Sequence, residues 1–129
     1  MSKKDGLAGN GRARYYRDLL VWQKAMSLAR NIYLETEALP KNEAFGLQSQ
    51  MRRAAVSVPS NIAEGHGRLD DGHFRQFLAN ARGSLYELQT QLELAPGLKF
   101  LAESRVKELM EQCEEVGRTI NGLVGSLDT

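Results

Sequence analysis

Residues 50–94 read QMRRAAVSVPSNIAEGHGRLDDGHFRQFLANARGSLYELQTQLEL. Two apolar seams run through this stretch. The first is Met51, Ala55, Val58 and Ile62; the second is Phe74, Leu78, Ala81, Leu85, Leu88, Leu92 and Ala95. Their steps of three and four residues are those of helices that bury one stripe. Between them, Gly65 and Gly67 offer a helix end, because glycine accepts the left-handed C-terminal conformation. Asp70 offers a carboxylate cap for the next helix. The spacing therefore predicts an antiparallel hairpin. With the turn near Leu69, residues whose numbers add to roughly 138 face one another, as in a two-helix hairpin.

Working outward, a preceding helix is predicted from about Val21 to Ala38, ending before Pro40. Its seam is Trp22, Met26, Ala29 and Tyr33, widened by Ala25, Leu28 and Ile32. Asn42 is the expected cap of the hairpin's first helix. Pro59 lies inside that helix and removes one backbone hydrogen bond, so a kink is expected without a break in register. Pro96-Gly97 ends the hairpin's second helix, and Leu98 and Leu101 are expected to tuck under the bundle end. A final helix is predicted from about Glu103 to Leu127, with Val106, Leu109, Cys113, Val116, Ile120, Leu123 and Leu127 as its seam. Gly117, Gly122 and Gly125 weaken its last turns or permit close helix contact. Four amphipathic helices with short connections make an all-α, antiparallel up-down-up-down four-helix bundle over residues 15–129. Residues 1–14 are rich in Gly, Lys and Arg, lack apolar periodicity, and are expected to form a disordered basic tail.

A chain of 129 residues and 14.4 kDa, 42% hydrophobic and 26% charged, is one domain with an ordinary globular composition. One cysteine excludes an internal disulfide. No apolar run approaches the roughly 20 residues of a membrane helix. The N-terminus lacks the apolar core of a signal peptide, so a cytoplasmic location without membrane association is expected. The charge is uneven. Residues 1–17 hold Lys3, Lys4, Arg12, Arg14 and Arg17 against Asp5, a net of +4, so a formal total of +1 leaves −3 on the rest. Such an arm attracts polyanions without specificity.

The chemistry-bearing residues are sparse. His66 and His73 flank the hairpin turn with Glu64, Asp70 and Asp71. A metal-dependent hydrolytic site is the enzymatic alternative there, against a polar turn with a helix cap. Di-iron bundles require paired Glu-x-x-His motifs on facing helices, and zinc requires three or four firm ligands. Neither set is present, so no cofactor and no catalytic residue are expected. Cys113 falls on a core seam, as a small buried hydrophobe does. More informative is a polar stripe beside the two central seams: Ser57, Asn61 and Glu64 on one helix, Ser84, Glu87 and Gln91 on the next. Small polar residues at such positions serve hydrogen-bonded interhelical or intersubunit contacts. Five arginines, Arg52, Arg53, Arg68, Arg75 and Arg82, decorate the same hairpin, and their planar forks suit carboxylate pairing. The register predicts that Arg52 or Arg53 pairs with Glu87, within the hairpin or across a subunit contact. Residues on the Trp22 side of the first helix, Val56 and Phe77 lie off the narrow seams and are candidates for self-association.

At these residues the sequence resembles a known family, the four-helix bundle proteins encoded within intervening sequences of bacterial 23S ribosomal RNA genes. The matching pieces are Asp18-Leu19, Val21-Trp22-Gln23-Lys24-Ala25, Phe45-Gly46-Leu47, and Gln50-Met51-Arg52-Arg53-Ala54-Ala55-Val56-Ser57. They continue with Pro59-Ser60-Asn61-Ile62-Ala63-Glu64-Gly65, Gly67-Arg68, Phe74, Phe77-Leu78, Ala81-Arg82-Gly83-Ser84-Leu85, Glu87-Leu88 and Thr90-Gln91-Leu92. The similarity covers roughly residues 17–95; the last helix matches only in pattern. Pro96-Gly97-Leu98-Lys99 departs from the family, which places glycine just before the aromatic. The resemblance implies a ring-like homopentamer. It also relates the chain to the accessory subunit of diversity-generating retroelements, which works with a reverse transcriptase and nucleic acid.

Together these readings predict a non-enzymatic oligomeric scaffold with weak affinity for RNA or a ribonucleoprotein. A purely structural oligomer is a further alternative. The expected nucleic-acid contacts are Lys3, Lys4, Arg12, Arg14, Arg17, Arg52, Arg68, Arg75 and Arg82. The expected interface stripe is Arg53, Ser57, Asn61, Glu64, Ser84, Glu87 and Gln91.

Overall fold

The computed structural model describes residues 13–43 and 45–127. Four helices carry the architecture: α1 (Leu20–Thr36), α2 (Leu47–His66), α3 (Asp71–Gly97) and α4 (Glu103–Leu127). Short 3-10 turns occupy Tyr16–Asp18 and Lys41–Glu43. Cross-helix bonds give the direction of each neighbour. Asn31 meets Gln112, while the earlier Lys24 meets the later Glu115, so α1 and α4 run antiparallel. Arg75 reaches the Leu127 carbonyl and Arg82 reaches Asn121, so α3 and α4 do too. The bundle is up-down-up-down, with each helix beside its sequence neighbours and α4 closing back on α1.

The seams of α2 and α3 bury as their spacing predicts. Met51, Ala55, Val58 and Ile62 are buried against Phe74, Leu78, Ala81, Leu85, Leu88, Leu92 and Ala95. The α4 seam does the same from Val106 to Leu123, and Leu127 packs half-buried at its end. Helix α2 runs unbroken through Pro59, which is itself buried.

Four local expectations are corrected. Gly67 ends α2 in the right-handed region, with φ −73°, so glycine is not used there for a left-handed cap. Gly65 serves packing instead: a Cβ on it would lie 2.5 Å from the Phe77 Cβ and 3.1 Å from the Phe74 ring. Asn42 does not cap α2. Gly46 is the cap residue, and the Glu43 carboxylate accepts from the Leu47 N–H at 2.9 Å. Of the two loop leucines, Leu101 is buried but Leu98 stays exposed, because the chain reverses sharply after it. That reversal explains the departure at Pro96-Gly97-Leu98-Lys99. Lys99 holds a left-handed φ of 62°, the Phe100 N–H bonds the Ala95 carbonyl, and the Lys99 N–H bonds the Pro96 carbonyl. This is the paired-bond termination that glycine ordinarily serves. The cap of α3 is as expected: Asp70 accepts from the His73 backbone N–H at 2.8 Å.

Residues 1–12 of the expected tail lie outside the described residues. Ala13 is 6% exposed, and its carbonyl accepts from His66 Nε2 at 2.5 Å, so it packs with the bundle.

Two backbone sites predict opposite outcomes. Gly65→Ala forces an atom into the α2–α3 contact and is expected to lower unfolding stability by about 2 kcal/mol. Lys99→Gly relieves a left-handed side chain and is expected to raise it by about 1 kcal/mol. Urea titration followed by circular dichroism measures both.

Candidate functional site

The aromatic residues of α1 point away from where their spacing placed them. The buried face of α1 is Val21, Ala25, Leu28, Ala29, Ile32 and Thr36. Trp22, Met26 and Tyr33 sit one step round the helix, facing the flank shared with α2. The apolar residues of α1 cover more than one face, and the core takes the side that lies between α2 and α4. The remainder lines an open groove of about 650 Å³. Its walls are Trp22, Met26, Ala29 and Tyr33 on α1 and Val56, Pro59, Ser60 and Ala63 on α2. Tyr16 closes one end, its ring edge-on to Trp22 at 5.2 Å, and Arg30 and Leu34 line the α1 side as well. Leu34 is 70% exposed, Tyr33 43% and Val56 42%. The sequence reading named Val56 but missed Leu34 and the rest of the α2 wall, Pro59, Ser60 and Ala63. Their signal was an apolar residue next to a seam already complete.

Arg52 bounds the groove's far end and belongs to the fold's own frame. Its Nε donates to Thr36 Oγ1 at 2.9 Å and its Nη2 to the Tyr33 carbonyl at 3.0 Å. It pairs with Glu37 at 3.3 Å and lies over the Tyr33 ring at 4.5 Å. Gln48 donates to the Thr36 carbonyl at 2.8 Å. Two α2 side chains thus bond two of the last carbonyls at the negative end of α1, those of Tyr33 and Thr36.

The expected polar stripe divides. Ser57 and Ser84 hydroxyls hydrogen-bond across the hairpin at 2.8 Å, and Asn61 donates to the Ser57 carbonyl and hydroxyl. Glu64 pairs with Arg68 one turn on, and Arg68 lies over the Phe77 ring at 5.0 Å. Gln91 is buried, with no partner for its Oε1 among the described residues. Arg53 and Glu87 are both exposed, and no ion pair reaches either among the described residues. Arg52 has turned to α1, so the expected pairing with Glu87 does not form within the chain.

The expected cationic contacts are dispersed. Arg75 and Arg82 brace α3 to α4. Arg14 and Arg17 are exposed beside Tyr15 and Tyr16. Lys3, Lys4 and Arg12 lie outside the described residues. The two histidines hold separate partners: His66 the Ala13 carbonyl and the edge of Phe74, His73 the Asp70 carboxylate at 2.6 Å. The His73 hydrogen bonds hold the Asp70 carboxyl below its usual value. No group of three His, Cys, Asp or Glu side chains among the described residues could hold a metal ion. Burial, with Glu114 nearby, pushes the Cys113 thiol up to about 12, away from the reactive thiolate.

A sequence profile described as the 23S rRNA-intervening sequence protein matches residues 17–122. The chain belongs to this family. The match extends beyond the motif run that stops near residue 95 and takes in most of α4. A crystal structure from Bacteroides thetaiotaomicron, titled a protein of unknown function from the S23 ribosomal protein family, superposes with a TM-score of 0.74. It is 19% identical and covers 81% of this chain and 98% of that one. That likeness supports the bundle fold alone. Among curated proteins, none matches.

In this member of the 23S rRNA-intervening sequence family, the groove depends on α1 ending where Arg52 holds it. Arg52→Ala is expected to cost about 2 kcal/mol, the scale of hydrogen bonds to a charged group. Arg52→Lys should recover little, because a point charge cannot serve the forked geometry. Thermal unfolding of both variants checks this.

Proposed function

We propose that this chain is a non-enzymatic scaffold that works as an assembly of identical bundles, a ring of five by its family resemblance. The uncovered α1–α2 groove carries this reading. Trp22, Met26, Tyr33, Leu34 and Val56 form a contiguous apolar surface that the chain leaves open to water. Contiguous patches of this kind mark interaction sites, and covering them gains free energy in proportion to the apolar area removed from water. Nothing in the groove converges as a catalytic set does: its polar members are Ser60, Arg30 and the phenols of Tyr16 and Tyr33. Light scattering at micromolar concentration is expected to return five times 14.4 kDa, or 72 kDa. A mass of 14.4 kDa would end the self-association reading.

A second activity, weak and sequence-tolerant RNA binding, is favoured by one contact. The hydrogen bond from His66 to the Ala13 carbonyl roots the N-terminal arm at the α2–α3 turn. Exposed Arg68 stands two residues beyond that anchor. Arg14 and Arg17 follow the anchor, so these two cations and Arg68 share one end of the bundle. With Lys3, Lys4, Arg12, Arg14 and Arg17 all engaged, the log–log salt slope on single strands is about −3.5. Removing residues 1–12 deletes three of those five cations and spares the packed Ala13. The slope should then shrink by about 2 while helicity is kept. A slope unchanged by the truncation, in filter binding across a salt series, would remove the arm from the site.

A further inference from the structure

The outward face of α3 is the second unexplained surface of the bundle. At about 100° per residue, Gly83, Tyr86, Thr90 and Leu94 fall on the side of α3 turned from its core seam. None is charged, although this is the part of the helix most open to water. Tyr86 is 55% exposed and Leu94 53%. Gly83 sits in mid-helix, and a Cβ there would meet nothing within 4 Å. Glycine weakens a helix interior, and no contact in this chain accounts for it. A small residue at Gly83 permits another backbone to approach closely.

The groove and this ridge fit one another in length and charge. Tyr86 to Leu94 spans about 12 Å and Trp22 to Tyr33 about 16 Å at the helical rise. Glu87 and Glu93 border the ridge; both are exposed, with no ion pair among the described residues. Arg30 lines the groove, and Arg53 lines the hollow that continues it past Tyr33. Neither arginine has an ion pair among the described residues. On α3 the charges without an ion pair that border the uncharged ridge are acidic, Arg82 being held to Asn121 and Arg118 of α4 standing beside Tyr86, whereas those bordering the apolar groove are basic. The two surfaces occupy different sides of the bundle, because the groove is walled by α1 and α2 and the ridge faces out from α3.

We propose that the α3 ridge of one copy seats in the α1–α2 groove of the next. Tyr86 and Leu94 fill the groove, Gly83 and Thr90 admit the close approach, and Glu87 and Glu93 meet Arg30 and Arg53. This is the helix-in-groove mode of recognition. The contact is heterologous: each copy uses one patch to give and another to receive, so repetition yields a ring where the rotation closes, and not a two-fold dimer. The inference rests on the self-association reading and names its surfaces.

The test uses one block on each surface, both at exposed positions. Val56→Lys blocks the groove and Leu94→Lys blocks the ridge. Each variant alone is expected to scatter as a 14.4 kDa monomer with wild-type circular dichroism. Their equimolar mixture retains one intact groove and one intact ridge. It should form a heterodimer of twice 14.4 kDa, and no larger species, because the remaining contact sets lysine against lysine. Gly83→Gln, which meets open space within the chain, should also weaken assembly. A mixture that stays monomeric, or an assembly indifferent to both Leu94→Lys and Gly83→Gln, overturns the ridge assignment while leaving self-association standing. A monomeric wild type would instead overturn the self-association reading beneath it.

Discussion

The contact between Gly65 and Phe77 sets the geometry of the central hairpin. With no Cβ at Gly65, α2 approaches α3 closely enough for the Phe77 Cβ to occupy the space a side chain would take. That close approach fixes both separation and register near the turn. Two turns back along α2 from Gly65, the Ser57 and Ser84 hydroxyls come within hydrogen-bond distance. Small polar residues are needed where the helices remain near one another. Larger apolar ones, Met51 and Leu88 among them, fill the core face beside them. Asp70 and the 3-10-like bonds after His66 then close a short turn that needs no left-handed residue.

The arginines show how the same charge is used in different ways. Arg52 lies across the end of α1, where the helix dipole and unpaired carbonyls favour a cation. Arg75 and Arg82 tie α3 to α4 through the Leu127 carbonyl and the Asn121 amide. Most of the hairpin's positive charge is thus internal bracing. Arg30 and Arg53 are left beside the apolar groove, and Glu87 and Glu93 beside the uncharged ridge of α3. A bundle stabilised within itself by polar struts leaves an apolar groove and an uncharged ridge outside its own core, where a partner can cover them.

The fold and its seams were legible in the sequence because a helix repeats every 3.6 residues and a buried stripe must follow that period. The α2 and α3 seams, the Asp70 cap and the bounds of α4 all follow from local rules. The end of α3 was legible as a departure, since Lys99 stands where glycine serves the turn. The candidate site was harder to see. Trp22, Met26 and Tyr33 keep helical spacing as faithfully as Ala25, Leu28 and Ile32 do, so periodicity could not choose between them. The choice came from where α2 and α4 sit around α1, and that depends on residues far away in the chain. For Arg52 the hairpin register pointed to Glu87. Only the packed position of the α1 end, with Thr36 buried beside it, decided for Glu37 and the carbonyls. Sequence determined which residues form helices and which stripe is apolar, because those are local properties. Tertiary structure decided which apolar face remained open and which charges were already in use, because both depend on what stands opposite.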